Sequence, residues 1–344
     1  MNSKRVVVTG GAGFIGSALV RRLIQDRHDV LNIDKLTYAA NLANLKAIDN
    51  VATYRFAQID ICDKDAVDEA INSFKPDLVM HLAAESHVDN SIRSARPFVD
   101  ANVVGTVNLL NSVQEYTERS ENADVRFVHV STDEVYGDLE PDNPPFNEQS
   151  RYKPSSPYSA SKAASDHFAR AWHRTYGLPV IVTNCSNNYG PYQFPEKLIP
   201  HMILQALKDK PLPVYGTGEN VRDWLHVDDH VDALVEIAER GTIGETYLIG
   251  TENEWTNIDI VKKICEILDD LRPRSNKESY RDLITFVEDR KGHDTRYSID
   301  PSFLRESLNW STSRKFEDGL SETVSWYLQN EEWWAPLLER HAPS

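Results

Sequence analysis

Tyr158 and Lys162 lie four residues apart in the segment Tyr-Ser-Ala-Ser-Lys. Residues at this spacing share one face of a helix, so a helix here would place a phenol beside an ammonium group. A neighbouring cation and a bound cationic nicotinamide are expected to lower the pKa of Tyr158 toward neutrality. Such a tyrosine can take the proton of an alcohol while hydride leaves the alcohol carbon. The spacing is also common in ordinary surface pairs, so its meaning depends on the motifs that accompany it.

Three further reactive side chains are consecutive at Thr132, Asp133 and Glu134. They directly follow residues 125–131, an apolar run that is typical of a buried strand. Thr132 can hydrogen-bond a substrate hydroxyl, and the two carboxyls can act as acid and base if burial and mutual repulsion keep one of them protonated. An acid and a base beside an oxidising centre suggest elimination of water. Two solvated surface carboxylates are the structural alternative.

A glycine-rich turn joins three valines to an amphipathic segment in residues 5–16, Arg-Val-Val-Val-Thr-Gly-Gly-Ala-Gly-Phe-Ile-Gly. This pattern predicts a strand, a tight turn and a helix whose first N–H groups hold a diphosphate, since Gly10, Gly13 and Gly16 allow the turn and the close approaches. Asp34 ends the next strand-like run, where a carboxylate can bind ribose hydroxyls and repel a 2′-phosphate. NAD is therefore favoured over NADP, the alternative being a purely structural turn.

The elements that must position these groups alternate between strand and helix. Apolar runs predict strands at residues 5–9, 29–34, 53–59, 77–83, 125–131 and 179–183. Helical periodicity predicts helices at residues 14–25, 63–74, 98–116 and 158–176, and residues 35–45 are expected to form a polar loop over the nucleotide. This alternation predicts an α/β fold with a doubly wound parallel sheet.

The second half of the chain breaks the alternation. A proline-containing stretch at 189–200 predicts a crossover loop, and residues 216–220 predict a turn between short strands. Four of the seven tryptophans lie at or beyond Trp310, where they are expected in a core or an interface. We predict a Rossmann domain at 1–189, to which about 223–250 return, and a smaller C-terminal α/β substrate-binding lobe at 190–222 and 251–344.

The formal net charge of −16 argues against a surface that binds nucleic acid or an anionic membrane. Cys62, Cys185 and Cys265 are far apart and form no Cys-x-x-Cys pair, which favours reduced thiols in a cytoplasmic protein. No export signal or membrane-spanning segment is expected.

His226 and His230 have a spacing that metal ligands can use, but a polar helix start is favoured and no metal is expected.

Together these motifs resemble the extended short-chain dehydrogenase/reductase superfamily, and within it the dTDP-glucose 4,6-dehydratases. The glycine-rich turn and Tyr-x-x-x-Lys carry the first resemblance. The second rests on residues 34–39, 82–89, 132–137, 187–200, 222–225 and 292–294, within a match from about residue 5 to 300. The sequence departs from the usual family pattern at Ala40, Asn90, Ala101 and Lys291, none of which is a catalytic group.

The resemblance implies a cycle in which Tyr158, assisted by Thr132 and Lys162, takes the C4 hydroxyl proton of dTDP-glucose while NAD accepts hydride. Glu134 then removes the C5 hydrogen, Asp133 protonates the departing C6 hydroxyl, and the hydride returns to C6. A 4-epimerase or decarboxylase is the related alternative, although an epimerase needs no acid at C6. A non-catalytic NAD-binding protein would be expected to lose Tyr158 or Lys162.

The resemblance also implies a homodimer through helices near Val103 and Phe168, and two sets of binding residues. The cofactor set is Gly10, Gly13, Phe14, Ile15, Gly16, Asp34, Lys35, Thr37, Asp60, Ile61, Leu82, Ala83, Ala84, Ser86, Tyr158, Lys162 and Asn188. The nucleotide-sugar set is Ser86, Thr132, Asn187, Lys197, Leu198, Tyr215, Arg222, Asn257, Arg290 and His293.

Overall fold

The apolar runs of the first half lie side by side in one parallel sheet. The structure is a computed structural model that describes residues 3–120, 124–290 and 292–340. Its strands are β1 (Arg5–Thr9), β2 (Asp29–Ile33), β3 (Tyr54–Ala57), β4 (Leu78–His81), β5 (Arg126–Thr132), β6 (Val180–Cys185), β7 (Asn187–Tyr189), β8 (Leu212–Tyr215), β9 (Val221–His226), β10 (Thr246–Ile249), β11 (Glu254–Thr256) and β12 (Ile284–Val287). Seven of them form the sheet β10-β6-β5-β4-β1-β2-β3, so the predicted doubly wound parallel sheet is confirmed.

Helices cover both faces of this sheet and build most of the second lobe. They are α1 (Phe14–Gln25), α2 (Lys64–Phe74), α3 (Val88–Arg93), α4 (Arg96–Phe98), α5 (Thr106–Arg119), α6 (Pro157–Tyr176), α7 (Leu198–Ala206), α8 (Val227–Arg240), α9 (Asn257–Leu271), α10 (Ser302–Leu308), α11 (Phe316–Gln329) and α12 (Glu331–Arg340). A π-helical turn, Val99–Gly105, joins α4 to α5. Short 3₁₀ helices lie at Leu42–Ile48, Asp133–Tyr136 and Tyr280–Leu283.

The three valines of β1 show how the sheet is buried on both faces. Val6 and Val8 pack in one apolar core with residues of α1 and α8, whereas Val7 packs in a second core with residues of α2 and α5. All three side chains are fully buried, as expected for a strand whose successive side chains point to opposite, helix-covered faces. Packing on both faces therefore holds β1 in place, and the glycine-rich turn starts from this fixed strand.

Most of the predicted helices and strands of the first half are confirmed with small shifts at their ends. The helix predicted at 98–116 is the exception, because it is α-helical only from Thr106 and begins as the π-helical turn Val99–Gly105. α1 spans the predicted residues, and Asp63 caps α2 by accepting from Ala66 N rather than starting the helix. The polar loop predicted at 35–45 is wrong in its second part, because Leu45 and Ile48 are buried in a 3₁₀ helix. The crossover loop ends at Lys197, since α7 begins at Leu198.

The second half forms two small sheets and a helical cluster. β7, β9 and β11 form one sheet, and β8 pairs with β12 in the other. The turn predicted at 216–220 therefore joins two strands that do not pair with each other. β10 pairs with β6 in the main sheet, and α8 packs beside α1.

Trp333 and Trp334 are buried core residues of the helical cluster, as predicted for tryptophans. None of the helices in the described ranges has the length and apolar character that crossing a membrane requires.

Candidate active site

A cleft with a cavity volume of about 320 Å³ opens where β1, β2, β4, β5 and β6 end. Ligands of doubly wound sheets bind at this carboxyl edge. Most of the predicted site residues line it: Gly10, Gly13, Phe14, Ile15, Gly16, Asp34, Lys35, Thr37, Ile61, Leu82, Ala83, Ala84, Ser86, Thr132, Asp133, Glu134, Tyr158, Lys162, Asn187, Asn188 and Lys197.

The glycine-rich turn forms one end of the cleft and fits a diphosphate. Gly10 has a φ of +73°, and a Cβ on it would lie 2.7 Å from the backbone nitrogen of Ala83. A Cβ on Gly16 would overlap the carbonyl oxygen of Gly10. Gly13 caps α1 without any side-chain hydrogen bond, so the N–H groups of the first helical turn are left for an external acceptor.

Asp34 lies next to this turn and is 8% exposed. Its Oδ2 accepts a hydrogen bond from Ala12 N at 3.0 Å, and its Oδ1 accepts one from Leu36 N at 2.8 Å. Burial raises the pKa of Asp34 despite these two bonds. Each ionised oxygen still has a lone pair for a ribose hydroxyl, so the carboxylate fits an adenosine ribose.

Thr132, Asp133 and Glu134 are held by the transition from β5 to a 3₁₀ helix. Thr132 ends the strand, and its Oγ1 accepts a hydrogen bond from Glu134 N at 3.3 Å. Asp133 is 2% exposed, and its Oδ2 has no hydrogen-bond partner among the described residues. A buried carboxyl oxygen without a partner is expensive, which indicates a group kept for a ligand. The solvated-surface alternative for this pair is therefore wrong.

The two carboxyls of this turn do not have the same environment. Burial, the charge of Glu134 and the charge of Asp223 raise the pKa of Asp133 well above its usual value. Burial also raises the pKa of Glu134, but Arg222 and Lys197 oppose that increase. The protonated form is thus favoured more strongly for Asp133 than for Glu134. An acid and a base side by side require this difference.

Tyr158 and Lys162 share the inner face of α6, as their spacing predicts. Ser156 and Ser159 form a capping box at the start of this helix, with Pro157 as its first residue. Tyr158 is 9% exposed and Lys162 is 4% exposed, so the pair is not a surface pair. The ammonium of Lys162 donates to the carbonyl oxygen of Val130 at 2.9 Å.

In this structure the pKa of Tyr158 is raised, whereas its neighbouring cation alone would lower it. Burial and then the negative charge of Glu134 raise the pKa of Tyr158 well above its usual value. Burial lowers the pKa of Lys162. The spacing of Tyr158 and Lys162 shows the neighbouring cation but not the neighbouring anion, Glu134. The positive charge of an oxidised nicotinamide would act against both effects on Tyr158.

Seven predicted residues do not line the cleft: Asp60, Leu198, Tyr215, Arg222, Asn257, Arg290 and His293. Asp60 stands behind the lining, where its carboxylate lies 3.6 Å from the ammonium of Lys35. Leu198 is the first residue of α7, directly after Lys197, and Asn257 is the first residue of α9. Asp60 thus lies at the Asp34 end of the cleft, whereas Leu198 adjoins its Lys197 end.

The remaining four surround that end as an aromatic and cationic cluster. The Arg290 guanidinium lies 5.5 Å from the centre of the Tyr215 ring, which meets the ring of His293 edge-on at 6.4 Å. Arg290 also pairs with Asp89 on α3 at 2.8 Å. Arg222 is 7% exposed and lies 4.3 Å over the ring of Tyr297. Both arginines lower the pKa of Glu134, which links this cluster electrically to the catalytic turn.

The sequence analysis missed several residues that line the cleft. Asn102, on the π-helical turn, supports one of them by accepting from Glu85 N at 2.8 Å and donating to Glu85 O at 3.0 Å. Ala40 and Ala101, noted only as departures from the family pattern, also line it, while Lys291 lies outside the described residues. The other lining residues that were not predicted are Ile33, Ala39, Ile59, Glu85, Val130, Ser131, Cys185, Ser186, Gln193 and Phe194.

Known proteins match this chain along nearly its full length. The model of the family described as GDP-mannose 4,6 dehydratase matches residues 7–323. A relative named probable dTDP-glucose 4,6-dehydratase, from Sinorhizobium fredii, is 58% identical over 98% of this chain and 96% of its own. The dTDP-glucose 4,6-dehydratase of Neisseria meningitidis is 55% identical over 97% and 96%. The crystal structure of the dTDP-glucose 4,6-dehydratase of Streptomyces venezuelae, with NAD and TYD bound, is 44% identical, with a TM-score of 0.88 and coverage of 97% and 99%.

Proposed function

Since this chain belongs to the dTDP-glucose 4,6-dehydratase family, we propose that it converts dTDP-glucose to dTDP-4-keto-6-deoxyglucose with NAD as its cofactor. When bound, NAD supplies a reversible oxidation and reduction at the sugar, so that the net change is loss of one water. The observation that carries the proposal is the buried carboxyl of Asp133 beside the half-buried carboxyl of Glu134, in one cleft with Tyr158. An epimerase would have no use for that pair.

Each catalytic side chain then moves or holds one proton. Tyr158 takes the proton of the C4 hydroxyl, which Thr132 orients by a hydrogen bond and Lys162 assists by its charge. The 4-ketone acidifies the hydrogen at C5, and Glu134 removes it. Asp133, kept protonated by burial and by the charge of Glu134, gives its proton to the departing C6 hydroxyl. Glu134 finally returns a proton to C5.

The two lobes divide the ligands between them. We infer that residues 1–189 hold the cofactor, and that 190–222 and 251–344 hold the nucleotide sugar. Lys197, Arg222 and Arg290 act on Glu134 as cations, and a chain of net charge −16 needs such fixed cations to hold a diphosphate. The carboxylate of Asp34 favours NAD over NADP.

A panel of sugar nucleotides tests the activity and the base preference together. The purified protein is incubated with dTDP-glucose, UDP-glucose, CDP-glucose and GDP-mannose, and the 4-keto-6-deoxy product is scored by its absorbance in alkali. We expect product from dTDP-glucose at the highest rate. Interconversion of two sugars without a stable keto product would favour the epimerase alternative, and four unchanged substrates would reject the proposal.

We also propose that the protein acts as a cytoplasmic homodimer. The three cysteines are free thiols, two of them buried, which suits a reducing compartment. Val104 on the π-helical turn and Phe168 on α6 are 44% and 38% exposed, and α5 packs beside α6. Large apolar side chains exposed together on neighbouring helices favour a self-association face.

A further inference from the structure

A cluster of buried polar side chains lies beneath the catalytic turn and belongs to no part of the proposed mechanism. It consists of His129, Tyr152, Asp166, Arg170 and Asn184, and we call it the Asp166 cluster. Asp166 and Asn184 are fully buried, as is His129. His129 Nδ1 has no hydrogen-bond partner among the described residues, but the carboxyl oxygens of Asp166 and the side-chain amide of Asn184 are all hydrogen-bonded. Buried polar groups bonded in this way hold their neighbours in a defined arrangement.

Asp166 is the centre of these contacts. Its Oδ1 lies 3.0 Å from His129 Nε2, and its Oδ2 accepts from Tyr152 OH at 2.8 Å and from Asn184 Nδ2 at 3.1 Å. Arg170 donates to Tyr152 OH at 2.7 Å from the outer side. A carboxylate surrounded by three donors is held as an anion with a fixed orientation.

One branch of the cluster reaches the catalytic turn. The Nδ2 group of Asn184 donates both to Asp166 and to the backbone carbonyl oxygen of Thr132, the latter at 3.1 Å. Thr132 in turn caps the 3₁₀ helix through Glu134 N. The carboxylate of Asp166 therefore sets the orientation of the Asn184 amide. This amide in turn fixes the end of β5, from which Thr132, Asp133 and Glu134 project.

The other branch is electrostatic and reaches Lys162. Asp166 follows Lys162 by four residues on α6, so both side chains lie on the same inner face. Lys162 is 4% exposed and donates to a neutral carbonyl, that of Val130. A buried ammonium needs a nearby anion to remain charged, and the charge of Asp166 acts on Lys162 in that direction.

We propose that Asp166 is a positioning residue for the dehydratase reaction proposed above: it orients Asn184 against the Thr132 carbonyl and balances the ammonium of Lys162. It touches neither substrate nor cofactor. The titratable or charged groups that face Asp166 or Lys162 lie on several elements: His81 on β4, His129 on β5, Cys185 on β6, Tyr152 before α6, and Arg170 on α6 itself.

The variant Asp166→Asn keeps the size of the side chain and removes its charge. We expect kcat with dTDP-glucose to fall at least tenfold while KM changes less than threefold, because the groups that move are catalytic. We also expect the alkaline limb of the kcat profile to shift to lower pH by about one unit or more, since Lys162 without its anion loses its proton more easily. A merely structural role would not move that limb.

Asp229→Asn is the matched control. Asp229 is also a buried carboxylate, 2% exposed, and accepts from Ser313 N and Ser313 Oγ at 2.9 and 2.6 Å, but it does not line the cleft. We expect its kcat and its pH profile to equal those of the wild-type protein. An equal shift in the control would overturn the proposal, because any lost buried charge would then do the same.

Asn184→Ala provides a second test of the positioning role if Asp166→Asn does not fold. This variant leaves the charge of Asp166 but cuts its connection to Thr132, so kcat should fall tenfold without a shift of the alkaline limb. Wild-type kcat in Asn184→Ala, or a wild-type profile in folded Asp166→Asn, overturns the positioning role while the dehydratase activity stands. If the wild-type protein forms no keto product, the proposed function fails instead.

Discussion

Asp133 and Glu134 are adjacent in the sequence, yet the structure gives them different surroundings, and the proposed function assigns them different tasks. We expect Asp133→Asn to slow the loss of water about 10²–10⁴-fold while cofactor binding is retained, because only the acid at C6 is removed. We expect Glu134→Gln to abolish exchange of the C5 hydrogen with deuterium from solvent. Product formation and exchange are followed by mass spectrometry. Wild-type rates in both variants would remove these roles.

Burial of Asp133 also predicts a change in stability. Its pKa in the folded protein is raised above the unfolded value of about 3.9, so the folded state binds more protons. The free energy of unfolding therefore falls as pH rises through that window, and the loss is complete above the raised pKa. We expect Asp133→Asn to melt a few degrees higher than wild type at pH 8 and at the same temperature near pH 3.

Asp142→Asn serves as the control for this melting comparison, because Asp142 is exposed and its charge remains hydrated in both states. Its melting temperature should match wild type at both pH values. A lower melting temperature for Asp133→Asn at pH 8 would show that the carboxylate stabilises the fold instead of opposing it.

How far single residues could be predicted depended on whether their role is local. Thr132, Asp133, Glu134, Tyr158 and Lys162 belong to short continuous motifs, and the structure brings all five to one cleft. Glu85, Cys185 and Gln193 also reach it, but they come from separate loops and strand ends without a spacing rule. Burial and Glu134 raise the pKa of Tyr158, and the motif could not show this because both are consequences of the fold. The lowering by a bound nicotinamide stays a prediction.

At the scale of elements, the start of α6 determines where Tyr158 stands. Ser156 caps this helix by accepting from Ser159 N at 3.1 Å. We expect Ser156→Ala to lower the free energy of unfolding by about 1 kcal/mol and also to lower kcat, because the first turn that carries Tyr158 would fray. Urea unfolding and product formation measure the two effects.

Asp63→Ala is the matched control for the helix cap. Asp63 caps α2 by accepting from Ala66 N at 3.2 Å, and α2 carries none of the proposed catalytic residues. A similar loss of stability with wild-type kcat is the expected outcome. If both variants lose kcat alike, the effect of Ser156→Ala reflects stability alone.

Elements with a repeated pattern could be predicted, and local irregularities could not. The alternation of apolar runs with helical periodicity was sufficient for α1, β5 and α6, because burial on a defined face imposes a period on the sequence. The π-helical turn Val99–Gly105 has no such signal, since its residues continue the same apolar period as α5. The 3₁₀ helix Leu42–Ile48 was missed for a different reason: its polar neighbours made the segment resemble a loop.

At the scale of the molecule, exposed apolar side chains predict a dimer. Val104, Phe168 and Tyr176 are 44%, 38% and 54% exposed, and the rings of Phe168, Trp172 and Tyr176 meet edge-on, one after another, along α6. We expect Phe168→Asp to sediment as a monomer, because one buried charge on each copy of a symmetric interface would be unpaired.

Phe286→Asp tests whether any exposed aromatic residue has this effect. Phe286 lies on β12 in the other lobe and is 60% exposed. This variant should sediment as the wild-type protein does, as a dimer. A wild-type protein that sediments as a monomer at micromolar concentration would reject the proposed assembly.

The π-helical turn between α4 and α5 contains one residue more than a regular helix of the same reach would need. Deleting a single residue there would restore regular hydrogen bonding and would displace the residues of the turn itself, while the helices on either side keep their places. Ala101 would leave the cleft and Asn102 would release the loop at Glu85. A shorter chain would thus make a straighter helix and a poorer ligand pocket.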